Sequence, residues 1–97
     1  MALKTTPYDT AKYLDSEEKL AAYIDAVLED GDPALVTHAL GVAARARGMA
    51  QIARDTGLSR ESLYRALSAD GNPGLATVLK VLKALGIRLS AQPANAA

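Results

Sequence analysis

The chain has 97 residues, 49 % of them apolar, with neither tryptophan nor phenylalanine, which suits one small domain with close helix packing rather than a large ligand cavity. The absence of cysteine excludes disulfides, zinc–thiolate sites and thiol catalysis, and the single histidine, His38, makes no metal cluster and reads as a helix residue. The net charge of zero conceals a split: residues 1–33 hold three lysines against eight carboxylates, a net of −5, and residues 34–97 hold eight basic side chains against three acidic ones, a net of +5.

Residues 1–7 lack periodicity and read as a flexible lead-in. Asp9 is placed to cap a short helix through Leu14. Ser16 is placed to cap a second, with Glu17 and Glu18 in its first turn, where negative charge complements the helix dipole. Leu20, Tyr23, Ile24, Val27 and Leu28 form a stripe at helical spacing that is expected to face inward. Gly31 stops this helix, and Asp32 before Pro33 starts the next as a cap followed by proline at the first helical position. Residues 8–32 thus form an acidic helical segment.

Residues 33–47 carry two adjacent apolar rows, one through Leu35, Ala39, Val42 and Ala46, the other through Val36, Leu40 and Ala43. A helix covered on more than one side is a central core helix. Gly48 ends it and leads into residues 49–68, a short helix, a turn at Gly57 and a second short helix. Ala53 is small where two helices cross closely, Leu58 plugs the turn, and Ser59 is a good N-cap. Leu63, Ala66 and Leu67 form the buried face of the second helix. Its opposite side carries Glu61, Arg65 and Ser68, flanked by Tyr64, with Ser59 and Arg60 at its start. That spacing meets the demands of a DNA-binding helix-turn-helix, whose second helix projects into a major groove. The basic part of the chain holds this motif, as attraction to nucleic acid requires. The plainer alternative is a helical hairpin with a solvated outer face.

Residues 69–74 form a turn-rich loop, in which Asn72 before Pro73 is read as turn chemistry. Residues 75–85 make a last amphipathic helix with Leu75, Val78, Leu79, Leu82 and Leu85 expected inward, ended by Gly86. Residues 87–92 alternate apolar and polar side chains, the pattern of a short strand, although a lone strand needs a partner. The expectation is a single all-α domain of five to six helices over residues 1–97, with a helix-turn-helix core at 33–86 and a short strand or tail at 87–97. No apolar run approaches a membrane span and no basic-then-apolar leader precedes the domain, which points to the cytosol.

The runs A-A-Y-I-D-A-V-L-E-D-G-D-P, A-R-G-M, G-L-S-R-E-S-L-Y and G-N-P, with the helix order around them, resemble the addiction-module antidote family. These are Hig-type antitoxins with the lambda-repressor-like (Xre) helix-turn-helix fold, and the resemblance covers about residues 8–90. It implies an autorepressor that binds double-stranded operator DNA and also neutralises a cognate toxin, usually a small basic ribonuclease of RelE/ParE type. A plain Xre-type transcriptional regulator without a toxin partner is the alternative. Relatives commonly carry a hydroxyl residue, capping the first motif helix, where this chain has Ala50; without that cap, Gly48 or water must satisfy the helix-start donors, at a cost of roughly 1 kcal/mol.

The resemblance places Gln51 like the family residue that fixes the first motif helix on the phosphate backbone. Arg60 and Arg65 are the best base readers, since a guanidinium bonds both acceptors of a guanine edge; the other role for either is a phosphate contact, which positions without specifying. Glu61 either accepts from cytosine or orients an arginine, Tyr64 packs on thymine methyls or on the core edge, and Ser59, with Ser62 in the same turn, caps the helix or touches phosphate. Arg45 and Arg47 either reach a flanking phosphate or end a helix in solvent. Selective binding by one short helix requires a homodimer on a two-fold site, with residues 75–85 and 87–91 as the expected interface. The acidic segment suits a basic toxin, with Asp15, Glu18, Asp25 and Glu29 steering it and Tyr8 or Tyr13 anchoring it. No second histidine, glycine-rich phosphate loop or nucleophile elbow supports an enzyme, and no cofactor is implied.

Overall fold

A computed structural model describes residues 16–94. The expected short helix from Asp9 to Leu14, and with it Tyr8, Tyr13 and Asp15, lies outside the described residues. Five helices follow one another: α1 Glu17–Asp30, α2 Pro33–Arg47, α3 Met49–Thr56, α4 Arg60–Ala66 and α5 Leu75–Ala84.

Local chemistry sets the starts. The Ser16 hydroxyl accepts from the Lys19 backbone N–H at 3.1 Å, and Asp32 Oδ1 accepts from that of Ala34 at 3.0 Å with Pro33 next to it. Each satisfies a donor that the helix start leaves unpaired. Between α2 and α3 there is only Gly48, which caps both helices: its N–H donates to the Ala44 carbonyl at 2.8 Å, and its own carbonyl accepts from Ile52 at 3.0 Å. At φ 115° and ψ 113° this corner needs glycine for its backbone rather than for space, since a Cβ there would meet nothing within 4 Å. Helix α3 therefore begins at Met49, which is buried, and the expected cap position at Ala50 is corrected: Ala50 is the second helical residue.

Helix α2 is the centre of the fold. Its residues 39–44 are buried without a break, more than one full turn, so every face of this stretch is covered. It packs on α1, α3 and α5, and α3 packs in turn on α4 and α5. One core results, with Ile24 from α1, Leu40 and Val42 from α2, Ile52 from α3, Leu63 from α4 and Val81 from α5. Arg47 at the end of α2 donates from Nη2 to the Leu85 carbonyl at 3.3 Å, joining the ends of α2 and α5.

The periodicity fixes the helices better than their phase. Leu28 and Leu35 are each 38 % exposed, and Leu75 and Leu79 are 70 % and 45 % exposed, so these four expected inward positions face out. Val81, buried completely, takes the place given to Leu79. In α1 and α5 the apolar residues span more of the circumference than the core accepts, and the neighbours α2 and α3 choose the face.

No strand forms among the described residues, which corrects the reading of residues 87–92. The reason lies in the end of α5. Gly86 N–H donates to the Lys83 carbonyl and Ile87 N–H to that of Leu82, at 3.0 and 2.9 Å, with Gly86 left-handed at φ 80°. This pair of bonds reverses the chain and lays Ile87 against the core, half-buried. With no second strand beside it among the described residues, the segment is coil.

Candidate nucleic-acid interface

Helix α3, the turn at residues 57–59 and α4 form a compact unit. Gly57 ends α3 in the left-handed conformation, φ 76°, its N–H bonded to the Ala53 carbonyl at 2.9 Å. Thr56 locks the same corner: its hydroxyl donates to the Ile52 carbonyl at 2.8 Å and accepts from the Leu58 N–H at 3.3 Å. Leu58 packs half-buried against the core, as a plug inside the turn. Ser59 then caps α4, its Oγ accepting from the Ser62 N–H at 3.0 Å and paired with Ser62 Oγ at 2.9 Å.

Helix α4 is held by Leu63, 0 % exposed, with Leu67 just beyond its end at 4 %. Burying one such side chain contributes roughly 1.5–3 kcal/mol, enough to orient a helix of two turns. Around that anchor Arg60, Glu61, Ser62, Tyr64 and Arg65 are all exposed, as are Ser59 and Ser68. Among the described residues no hydrogen bond or ion pair engages the guanidinium of Arg60 or Arg65. Tyr64 is 45 % exposed. The Ser68 hydroxyl is spent on the Arg65 carbonyl at 2.9 Å, closing the end of the helix.

Gln51 lies exposed on α3, next to α4, and its carboxamide is already engaged. Its Nε2 donates to Asp55 Oδ1 at 2.9 Å, and its Oε1 accepts from Arg54 Nη2 at 2.7 Å. One Nε2 hydrogen stays available to an outside acceptor. Arg54 and Asp55 were not singled out from the sequence, although their spacing of three and four residues from Gln51 is the spacing at which helical side chains meet. Beyond Asp55 and Thr56, a hollow of about 430 Å³ opens toward Lys80 and Lys83 of α5, so two further cations border the end of α3.

Of the flanking arginines, Arg47 is exposed and donates from Nη2 to the Leu85 carbonyl. Arg45 is exposed and lies near enough to Tyr23 to lower the pKa of its phenol, against a larger upward push from burial. On the acidic side, Glu18, Asp25 and Glu29 are all exposed on α1; Asp15 lies outside the described residues. His38 is exposed on α2, and among the described residues no group of three or more His, Asp or Glu side chains could hold a metal ion. No helix among them is long and apolar enough to cross a membrane. The arrangement offers an outward rim of hydroxyl, guanidinium and carboxamide donors on two short helices, which is binding chemistry.

Residues 4–93 match the family model described as a probable addiction module antidote protein. The chain is 51 % identical over 85 residues to a protein of Haemophilus influenzae described as uncharacterized, the alignment covering 88 % of each. No solved structure matches.

Proposed function

The chain belongs to the family of probable addiction module antidote proteins, and from that premise we propose that it is the antitoxin of a type II toxin–antitoxin module, repressing its own operator and neutralising a basic ribonuclease toxin of RelE/ParE type. The DNA-binding half of this reading takes α3–turn–α4 as a lambda-repressor-like, Xre-type helix-turn-helix acting in a homodimer. The observation that carries it is the division of α4 around Leu63. One side of the helix is sunk in the core, and the other presents Arg60, Glu61, Ser62, Tyr64 and Arg65 to solvent.

In this reading Arg65 and Arg60 enter the major groove, where a guanidinium bonds guanine O6 and N7 together. Glu61 accepts from cytosine N4 or steers its neighbouring arginine, and Tyr64 packs on thymine methyls. Ser59 and Ser62 hold the start of α4, and the free N–H of Gln51 binds a phosphate, fixing register without reading sequence. The protein acts by binding alone, as a cytoplasmic regulator with no cofactor.

Two measurements in cells test the two halves. Expression of the chain in trans should repress a reporter driven by the DNA upstream of its own reading frame, and Arg60→Ala with Arg65→Ala should relieve that repression. Co-expression should also restore growth to cells making a RelE/ParE-type toxin that is its cognate partner. Repression without rescue would leave a plain Xre-type regulator; rescue without repression would leave an antitoxin that does not control its operon.

A further inference from the structure

A groove of about 250 Å³ runs between α1 and the coil that follows α5. Its floor is Ile24, 2 % exposed, beside half-buried Ile87. Its lips are Leu28 and Leu89, 38 % and 37 % exposed, two of the six large apolar side chains that the described residues leave open to water. Two leucines flanking a recess with an apolar floor gain from one more apolar side chain between them, at roughly 25 cal/mol for each Å² removed from water. Asp25 borders the groove on the α1 side and Arg88 on the other.

The charge around it selects the occupant. Helix α1 carries Glu17, Glu18, Asp25, Glu29 and Asp30, all exposed, against the one lysine Lys19. A second copy of this chain, docked here about a two-fold axis, would set two such acidic faces against each other, which argues against residues 87–91 as the homodimer interface and leaves that role to residues 75–85. The chain's own first fifteen residues have two lysines and two aspartates and no net charge to offer it. Nucleic acid is repelled. What fits is a basic protein with an exposed apolar side chain.

We propose that this groove is the toxin-docking site: an apolar side chain of the basic toxin seats between Leu28 and Leu89 over Ile24, while Asp25 and Glu29 draw the toxin's cations to α1. This rests on the antitoxin reading above and adds to it an anchor that charge alone does not supply. Charge speeds encounter, and a desolvated apolar contact sets how long the complex lasts.

The test uses the full chain and its purified cognate toxin, the protein whose growth arrest the chain relieves on co-expression, with kinetics read by surface plasmon resonance. Leu28→Ser with Leu89→Ser should speed dissociation by about tenfold or more. Asp25→Asn with Glu29→Gln should instead slow association several-fold at low salt, a difference that shrinks as salt rises. A second measurement needs no variant: on adding the toxin to methyl-labelled wild-type chain, the Leu28 and Leu89 signals should shift while those of Leu75 and Leu79 stay. A wild-type chain that does not bind the protein at all would remove the antitoxin reading and this proposal with it. Binding by a folded leucine variant at wild-type rates, with unmoved Leu28 and Leu89 methyls, would overturn the groove alone. A leucine variant that sediments as a smaller species would assign the groove to self-association, and would equally overturn it.

Discussion

The carboxamide of Gln51 donates to the Asp55 carboxylate at 2.9 Å, one turn further along α3. The residue proposed to bind a phosphate is thus tethered to a negative charge that opposes the same phosphate. Arg54, which donates to the other end of the carboxamide at 2.7 Å, offsets part of that charge.

Asp55→Ala should therefore tighten DNA binding. It frees the amide and removes a repulsion that ions screen over about 10 Å at 0.1 M salt. A gain of a few fold in affinity at low salt, narrowing as salt is raised, is expected by fluorescence anisotropy. Gln51→Ala should weaken binding evenly across sequences, as loss of a phosphate contact does. Weaker binding by Asp55→Ala would mean that the carboxylate is needed to aim Gln51.

A second relationship fixes how α4 stands on the domain. A Cβ added to Gly41, in the middle of α2, would lie 3.0 Å from the Leu67 carbonyl oxygen, 3.2 Å from Arg45 Nη1 on the same helix and 3.6 Å from the Leu67 Cβ. Alanine is the better helix former by about 0.5–1 kcal/mol, but overpacking costs about 1–3 kcal/mol; the Arg45 side chain can swing away, whereas the Leu67 carbonyl is backbone that closes the end of α4. Gly41→Ala should come out destabilised by urea denaturation, and Gly41→Val more so. Because the displaced segment is the end of α4, operator affinity should fall more than stability alone explains. A stabilised Gly41→Ala would show that Leu67 moves aside freely.

Burial holds the Tyr23 phenol above its usual pKa of 10.0, against a smaller lowering by Arg45. A raised pKa means that folding favours the protonated phenol. That contribution is complete below pH about 10 and is lost as pH rises through the folded value. Thermal stability of the wild type should thus fall more steeply above pH 10 than that of Tyr23→Phe. Parallel curves would mean that Tyr23 reaches water when ionised.

The caps were legible in the sequence because each is a local event. Ser16, Asp32 before Pro33, Gly57 and Ser59 do what their types and positions foretell, and the order of the described helices follows from them. The outward rim of α4 was equally legible, since Leu63 fixes the phase of a helix with a single buried stripe. What escaped depends on neighbours distant in sequence. Nothing local tells that Leu75 and Leu79 face out while Val81 faces in, that Gly41 must stay small for Leu67, or that Arg47 serves the Leu85 carbonyl. The alternation of residues 87–92 misled for the same reason: it describes side chains but not whether a strand lies beside them. The Asp55 and Arg54 grip on Gln51 was readable from spacing, and is the part of the site that the motif pattern alone passes over.

Competition binding of Arg65→Ala decides whether the exposed side of α4 reads DNA. The wild-type chain and the variant are each titrated against the upstream operator fragment and a scrambled fragment at two salt concentrations. Arg65→Ala should lose about 1–3 kcal/mol on the operator and much less on the scrambled DNA, so that discrimination narrows. An equal loss on both fragments with a shallower salt slope would make Arg65 a phosphate contact and leave the reading of bases to Arg60. A wild-type chain that binds operator and scrambled DNA alike, with Arg65→Ala unchanged on either, would show that α4 does not read DNA.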